Sequence, residues 1–170
     1  MRIFLILVAA ASIAGCASYD GRGLVPGAST AAQVEAVMGK PAERVSRPDG
    51  GAVLYYPRNP VGRHTYAVTL GSDGVMRGID QRLTLDNINR LVSGKTTSKE
   101  VREMFGPPYP YSVTYFPLME RDVWEYKWLD YDDKRVLWVH FSRDGILREV
   151  INTHDFGADE PSGGGAGGLP

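Results

Sequence analysis

Gly27-Ala-Ser-Thr30-Ala-Ala-Gln33-Val34-Glu-Ala-Val37-Met38-Gly39-Lys-Pro41 returns later in the chain as Gly94-Lys-Thr-Thr97-Ser-Lys-Glu100-Val101-Arg-Glu-Met104-Phe105-Gly106-Pro-Pro108. The offset is constant, since 94 − 27 and 108 − 41 both equal 67. Each copy is a complete helix signal. Thr30 with Gln33, and Thr97 with Glu100, have the spacing of a capping box: the hydroxyl accepts a first-turn N–H and the longer side chain reaches back. Apolar residues follow at helical spacing, Val34/Val37/Met38 and Val101/Met104/Phe105. Gly39 and Gly106 are placed to end each helix in a left-handed conformation, with proline after them. Between the copies, Asp86–Val92 predicts another short helix, with Ile88, Leu91 and Val92 on one face.

Strands follow each helix signal. Ala52–Tyr56 and Val123–Trp128 are rich in aromatic and β-branched residues. His64–Leu70 and Val136–Phe141 come next, and both run into an Asp-Gly turn, Asp73-Gly74 and Asp144-Gly145. Last strands start at Val75 and Ile146. The turn offset is 144 − 73 = 71, so the second unit carries four extra residues, placed in the Pro107–Glu120 stretch. The fold class is therefore α+β: two tandem units, each with short helices followed by an antiparallel meander of three to four strands. A unit of about 65 residues is marginal alone, so the two are expected to pack together.

The ends of the chain read differently. Arg2 and the apolar run Ile3–Ile13 have the form of a signal peptide, too short for the roughly 20 apolar residues of a membrane span. Ile13-Ala14-Gly15-Cys16 resembles a bacterial lipobox. That resemblance implies cleavage between Gly15 and Cys16 and acylation of Cys16, the only cysteine. Each buried acyl methylene contributes about 0.8 kcal/mol to anchoring. Ala17 and Ser18 lack the aspartate that usually retains lipoproteins in the inner membrane. The expected address is the periplasmic face of the outer membrane, with the covalent lipid as the sole attached group. Residues 1–15 are read as signal peptide, 16–26 as lipidated tether, 27–82 and 83–154 as the two units. Residues 155–170 form a tail, whose last fourteen residues hold six glycines and two prolines and are expected to be disordered.

Loss of Arg2 leaves 18 basic against 20 acidic side chains, with no basic stripe, so nucleic acid is not an expected partner. Catalytic patterns are missing. His64, His140 and His154 stand apart without metal spacing, and there is no Gly-x-Ser-x-Gly elbow. Gly94-Lys95-Thr96 imitates the end of a phosphate loop, but position 89 is Asn where that loop needs glycine. Asp130, Asp132 and Asp133 cluster in an expected hairpin loop, where solvated charge is the default. The reading is non-catalytic.

A binding face follows from the period of two. Trp124, Tyr126 and Trp128 with Leu137, Val139 and Phe141 make the core face. Glu125, Lys127, Trp138 and His140 make the outer face, as candidate partner contacts. Burial of Trp138 against the other unit is an equal alternative. Tyr109 and Tyr111, with Tyr115 and Phe116 further along the proline-rich insertion, form a second candidate cluster.

The segment Leu83–Pro108, with Trp124-Glu125-Tyr126 and Phe141-Ser-Arg-Asp144-Gly145-Ile-Leu147, resembles the SmpA/OmlA family of small outer-membrane lipoproteins. Its best-known members are the E subunit of the β-barrel assembly machinery. The resemblance covers residues 83–153 well and 24–80 more loosely. It implies a non-catalytic scaffold in envelope biogenesis, with barrel-assembly components as partners. This chain departs from that pattern in carrying two copies. Tandem helix-plus-sheet units also occur in the β-lactamase-inhibitory proteins, which makes inhibition of an envelope hydrolase by the sheet face the alternative.

Overall fold

The computed structural model describes residues 20–158. Helix α1 (Ala31–Met38) precedes strands β1 (Glu43–Ser46), β2 (Ala52–Pro57), β3 (Thr65–Leu70) and β4 (Met76–Gln81). Helices α2 (Leu85–Ile88) and α3 (Ser98–Phe105) precede β5 (Val113–Phe116), β6 (Arg121–Asp130), β7 (Asp133–Ser142) and β8 (Leu147–His154). Each set of four strands forms its own antiparallel sheet, in sequence order. The class is α+β. Among the described residues no helix is long and apolar enough to cross a membrane. Residues 1–19, with the expected lipidation at Cys16, lie outside the described residues, as do 159–170.

Both capping boxes form: the Thr30 and Thr97 hydroxyls accept the N–H of Gln33 and Glu100, and those side chains reach back. The same motif then clasps the far hairpin of its own half. Gly27 N–H bonds to Met76 O, Met76 N–H to Ser29 O, and Ala31 N–H to Gly74 O. In the second half Gly94, Leu147 and Ser98 make the corresponding bonds to Leu147 O, Thr96 O and Gly145 O. A helix start is thus tied to the Asp-Gly turn about 45 residues later, satisfying backbone groups that a bare helix end leaves unpaired.

Several expectations change. The helix expected over Asp86–Val92 is only Leu85–Ile88, capped by Thr84. Beyond it the Val92 N–H bonds to the Thr96 hydroxyl and the Val92 side chain is exposed, so it does not share the buried face of Ile88. Gly39 and Gly106 do take positive φ (84° and 80°), but ψ lies near 180° (−173° and −179°), outside the left-handed helical well. That combination is essentially confined to glycine. Both meanders have four strands, the unforeseen ones being β1 and β5. Equivalent core pairs place the extra residues more finely. Asp122 pairs with Phe141 as Ala52 pairs with Leu70, so β2 maps onto β6 at 122 − 52 = 70. Three of the four extra residues therefore precede β6, and one lies between β6 and β7.

Residues 155–158, expected to belong to the tail, are part of the fold; the rest of the expected tail lies outside the described residues. Asp155 is buried, its N–H bonds to Lys134 O, and Phe156–Ala158 form a 3-10 turn. The reason is charge. Asp155 Oδ2 sits 2.6 Å from Arg63 and 3.3 Å from Lys127, joining the β2–β3 loop to the second sheet.

Each half has its own core. Val34 and Met38 of α1 pack on Leu54, Tyr56, Val68, Leu70 and Met76. Val101 and Phe105 of α3 pack on Tyr126, Trp128, Leu137, Val139 and Phe141, with Trp124 partly buried beside them. The core face expected for β6 and β7 is therefore the one observed. Phe105 meets Tyr126 edge to face at 5.5 Å, and Tyr126 donates to Gly106 O at 3.2 Å.

The back of α3 meets the first sheet. Tyr55, on the face of β2 turned away from α1, donates its hydroxyl to Glu103 O at 2.6 Å. Arg102 Nε lies 2.9 Å from Glu43 of β1. A Cβ on Gly106 would stand 2.9 Å from Tyr55 Cδ1 and 3.0 Å from Thr65 Cγ2. The layer order is α1, first sheet, α3, second sheet. Helix α3 lies between the two sheets. On the far face of the second sheet, Arg63 of the β2–β3 loop and the segment 155–158 meet Lys127 and Lys134 at one end, and among the described residues no helix of the α1–α3 set lies on the rest of it.

Candidate functional site

The far face of the second sheet is where β6 and β7 place their outward side chains, and beyond the Asp155 junction it carries a groove. Antiparallel partners share a face. Glu125 is paired with Trp138, Val123 with His140, Trp138 with Ile151 and Val123 with Thr114. With Tyr111, Phe116 and Met119 of the neighbouring hairpin they line an apolar groove of about 360 Å3.

Trp138 donates its indole Nε1 to Glu125 Oε2 at 2.8 Å, across the strand pair. This bond fixes the ring on the sheet and half-buries one carboxylate in apolar surroundings. His140 is only 9% exposed. Its Nδ1 has no hydrogen-bond partner among the described residues. Burial lowers its pKa from the ordinary 6.5; Glu149 opposes that shift and Arg121 adds to it. The imidazole is neutral at pH 7, with a ring nitrogen unbonded in the wall of a groove.

The first sheet explains why this face is special. Position 138 corresponds to Ala67 and position 125 to Tyr55, by the offsets of 71 and 70. Ala67 is 0% exposed, and its cross-strand partner Tyr55 bonds to α3 through Glu103 O, so this face of the first sheet is the one turned to α3. In the second sheet a tryptophan stands where the alanine would be, and among the described residues no α-helix follows β8. Trp138 is thus packed by its own sheet and hairpin, and is not buried against the other half.

The sequence-derived candidates divide. Trp138, His140, Glu125 and Tyr111 come together in the groove wall. Tyr109 stacks on Tyr111 edge to face at 5.6 Å, beside the lining. Lys127 does not belong to the groove. Its ammonium is drawn to Asp155 and its backbone N–H bonds to Asn59 Oδ1 at 3.0 Å, so it serves the junction between the halves. The reason is position: β5 ends before Lys127, and the β2–β3 loop occupies the vacant edge of β6. Phe116, of the second aromatic cluster, also lines the groove, whereas Met119, Val123 and Ile151 were missed. Val113-Thr-Tyr-Phe116 does have the β-branched and aromatic composition of a strand, but its flanking prolines gave it the look of a loop.

The other candidate chemistry dissolves. Asp133 of the acidic loop is engaged by Arg135 at 2.8 Å and His154 at 2.7 Å. The Arg135 hydrogen bond, then the His154 one, hold its carboxyl below the usual value. Among the described residues no three or more His, Cys, Asp or Glu side chains are grouped to hold a metal. Comparison with protein-family models, with curated proteins and with solved structures finds no match.

Proposed function

We propose that this chain is a non-catalytic protein-interaction module. It is anchored through Cys16 to the inner leaflet of the outer membrane and faces the periplasm, where it serves envelope biogenesis. The two halves are read as tandem copies of one helix-plus-sheet unit. The observation that carries the reading is the unequal fate of two equivalent sheet faces. The first is turned to α3, which Tyr55 bonds, and its Ala67 is fully buried; the second keeps an apolar groove built on Trp138 and Glu125. Exposed aromatic anchors set in apolar surroundings with few polar groups are the composition of protein contact sites. The SmpA/OmlA-like motif and the lipobox supply the address and make barrel-assembly components the partners to test.

The test is photo-cross-linking in cells from position 138 and from position 116, read by mass spectrometry. Adducts to barrel-assembly subunits are the expected outcome. Adducts to a periplasmic hydrolase would turn the role to inhibition. No adduct from either position, in a folded and lipidated chain, removes the interaction reading of this face.

A further inference from the structure

Among the described residues strand β5 pairs on one side only, with β6. The direction of its backbone groups can be read from β6. The Glu125 carbonyl accepts from the Ser112 hydroxyl at 2.9 Å, and the Lys127 N–H bonds to Asn59 just beyond the end of β5. Odd-numbered residues of β6 therefore direct their backbone groups towards β5. Their partners are Thr114, opposite Val123, and Phe116, opposite Arg121. Val113 and Tyr115 must then turn their N–H and C=O outward, because the direction alternates along a strand. Among the described residues no loop or side chain bonds to them.

Elsewhere this molecule manages such edges. The same side of β6 is closed at Lys127 by Asn59. The corresponding edge strand of the first sheet, β1, is Glu43-Arg44-Val45-Ser46, and its Glu43 is held by Arg102. Charge on an edge strand discourages pairing. β5 has none: Val113-Thr114-Tyr115-Phe116 are all exposed, without a charged side chain. Its Phe116 end opens directly onto the groove of Met119 and Trp138.

We propose that β5 is a strand-acceptor edge, to which a partner protein adds an extended apolar segment. Its backbone pairs with Val113 and Tyr115, and its alternate side chains continue the groove wall beside Phe116. This deepens the interaction role and rests on it. Unpaired N–H and C=O groups in a row are complementary to another extended backbone, with side-chain pockets giving selectivity. The half-buried Glu125 carboxylate favours a segment that also carries a lysine or arginine. A second copy is the poorer occupant. Edge-to-edge pairing would join four residues of each chain, well short of the roughly 1,200 Å2 that specific interfaces bury.

The experiment uses a displayed library of random peptides of about twelve residues, panned on the intact chain. Enriched peptides are expected to alternate apolar residues and to protect the Val113 and Tyr115 amides from hydrogen exchange. Their affinity should fall about tenfold or more with Tyr115→Pro, which removes an outward N–H and leaves the β6 pairing whole. Alternate N-methylation of the peptide should do the same without touching the protein, so a fold defect cannot mimic the result. No enrichment, or enrichment indifferent to both changes, overturns strand pairing. Protection of those amides in the chain alone, rising with concentration, assigns the edge to a second copy and overturns the partner segment. A protein cross-linked from position 138 whose yield survives Tyr115→Pro would keep the interaction role and discard the acceptor edge.

Discussion

At residue scale, His140 concentrates the tension in this face. A buried imidazole is disfavoured as a cation, and burial is the largest cause of its lowered pKa. The unfolded chain therefore takes up a proton more readily than the folded one. The stability this gives is fully present above about pH 6.5, the unfolded value, and is lost as pH falls through it towards the folded value. His140→Leu removes the titration and keeps the apolar contact. We expect the urea midpoint of the parent chain to fall as pH drops below about 6.5, and the variant to lack that part of the fall. Superimposable pH profiles would show that His140 is solvated in a way its 9% exposure does not convey. Sequence alone placed His140 opposite the core by alternation. It could not reveal that the position is buried, because burial comes from Val123 across the pair and from the hairpin beside it.

At element scale, the two helix ends are a built-in comparison. Gly39 and Gly106 share one motif and nearly one backbone conformation. A Cβ on Gly39 meets nothing within 4 Å, whereas one on Gly106 strikes Tyr55 and Thr65. Gly39→Ala should cost only the backbone strain, about 1–3 kcal/mol. Gly106→Ala should cost that plus the displacement of α3 from the first sheet, in total clearly more. Denaturant unfolding of both variants measures the difference, and equal losses would mean that the two layers part easily. The motif was legible in sequence because caps, helix periodicity and terminal glycine are local signals. The four-residue strands β1 and β5 were not, since neither is long enough to display a period. The end of α2 was misjudged for a related reason: apolar spacing continues to Val92, but Thr96 bonds that backbone into a turn instead.

At the scale of the whole molecule, repetition predicted two units and the structure has two four-stranded sheets, but their stacking was not legible. An identical repeat would predict equivalent faces; only the contrast of Ala67 with Trp138 hinted that one sheet is covered and the other open. What locks the stack is the junction at Asp155. Burial alone would raise the pKa of this carboxyl, but hydrogen bonds from Arg63 and Lys127 outweigh it and hold it below 3.8. A carboxyl lowered in the folded state adds stability above its unfolded value, and that stability drains away as pH falls through the folded one. Asp155 belongs to the residues just after β8, while Arg63 lies in the β2–β3 loop, so the pair closes the chain's end onto its first half. Asp155→Asn would leave Arg63, itself almost buried, without its counter-charge. Breaking one side of a buried pair costs about 3–5 kcal/mol, and Lys127 loses its partner too. We expect that loss at neutral pH, together with a shallower decline below about pH 3.8, because the variant has no carboxylate there to protonate. Thermal unfolding followed by tryptophan fluorescence and by amide exchange in β2 and β3 reads both halves, since all three tryptophans lie in the second. In the parent chain the two signals should coincide, as α3 is common to both layers. In Asp155→Asn the first half should unfold earlier, being held to the second by Tyr55 and Arg102 at α3 and by the bonds of Asn59 and Arg63 to the backbone of β6 and β7. If the variant's signals still coincide and its neutral stability is unchanged, the stack is held by α3 and the junction at Asp155 is incidental.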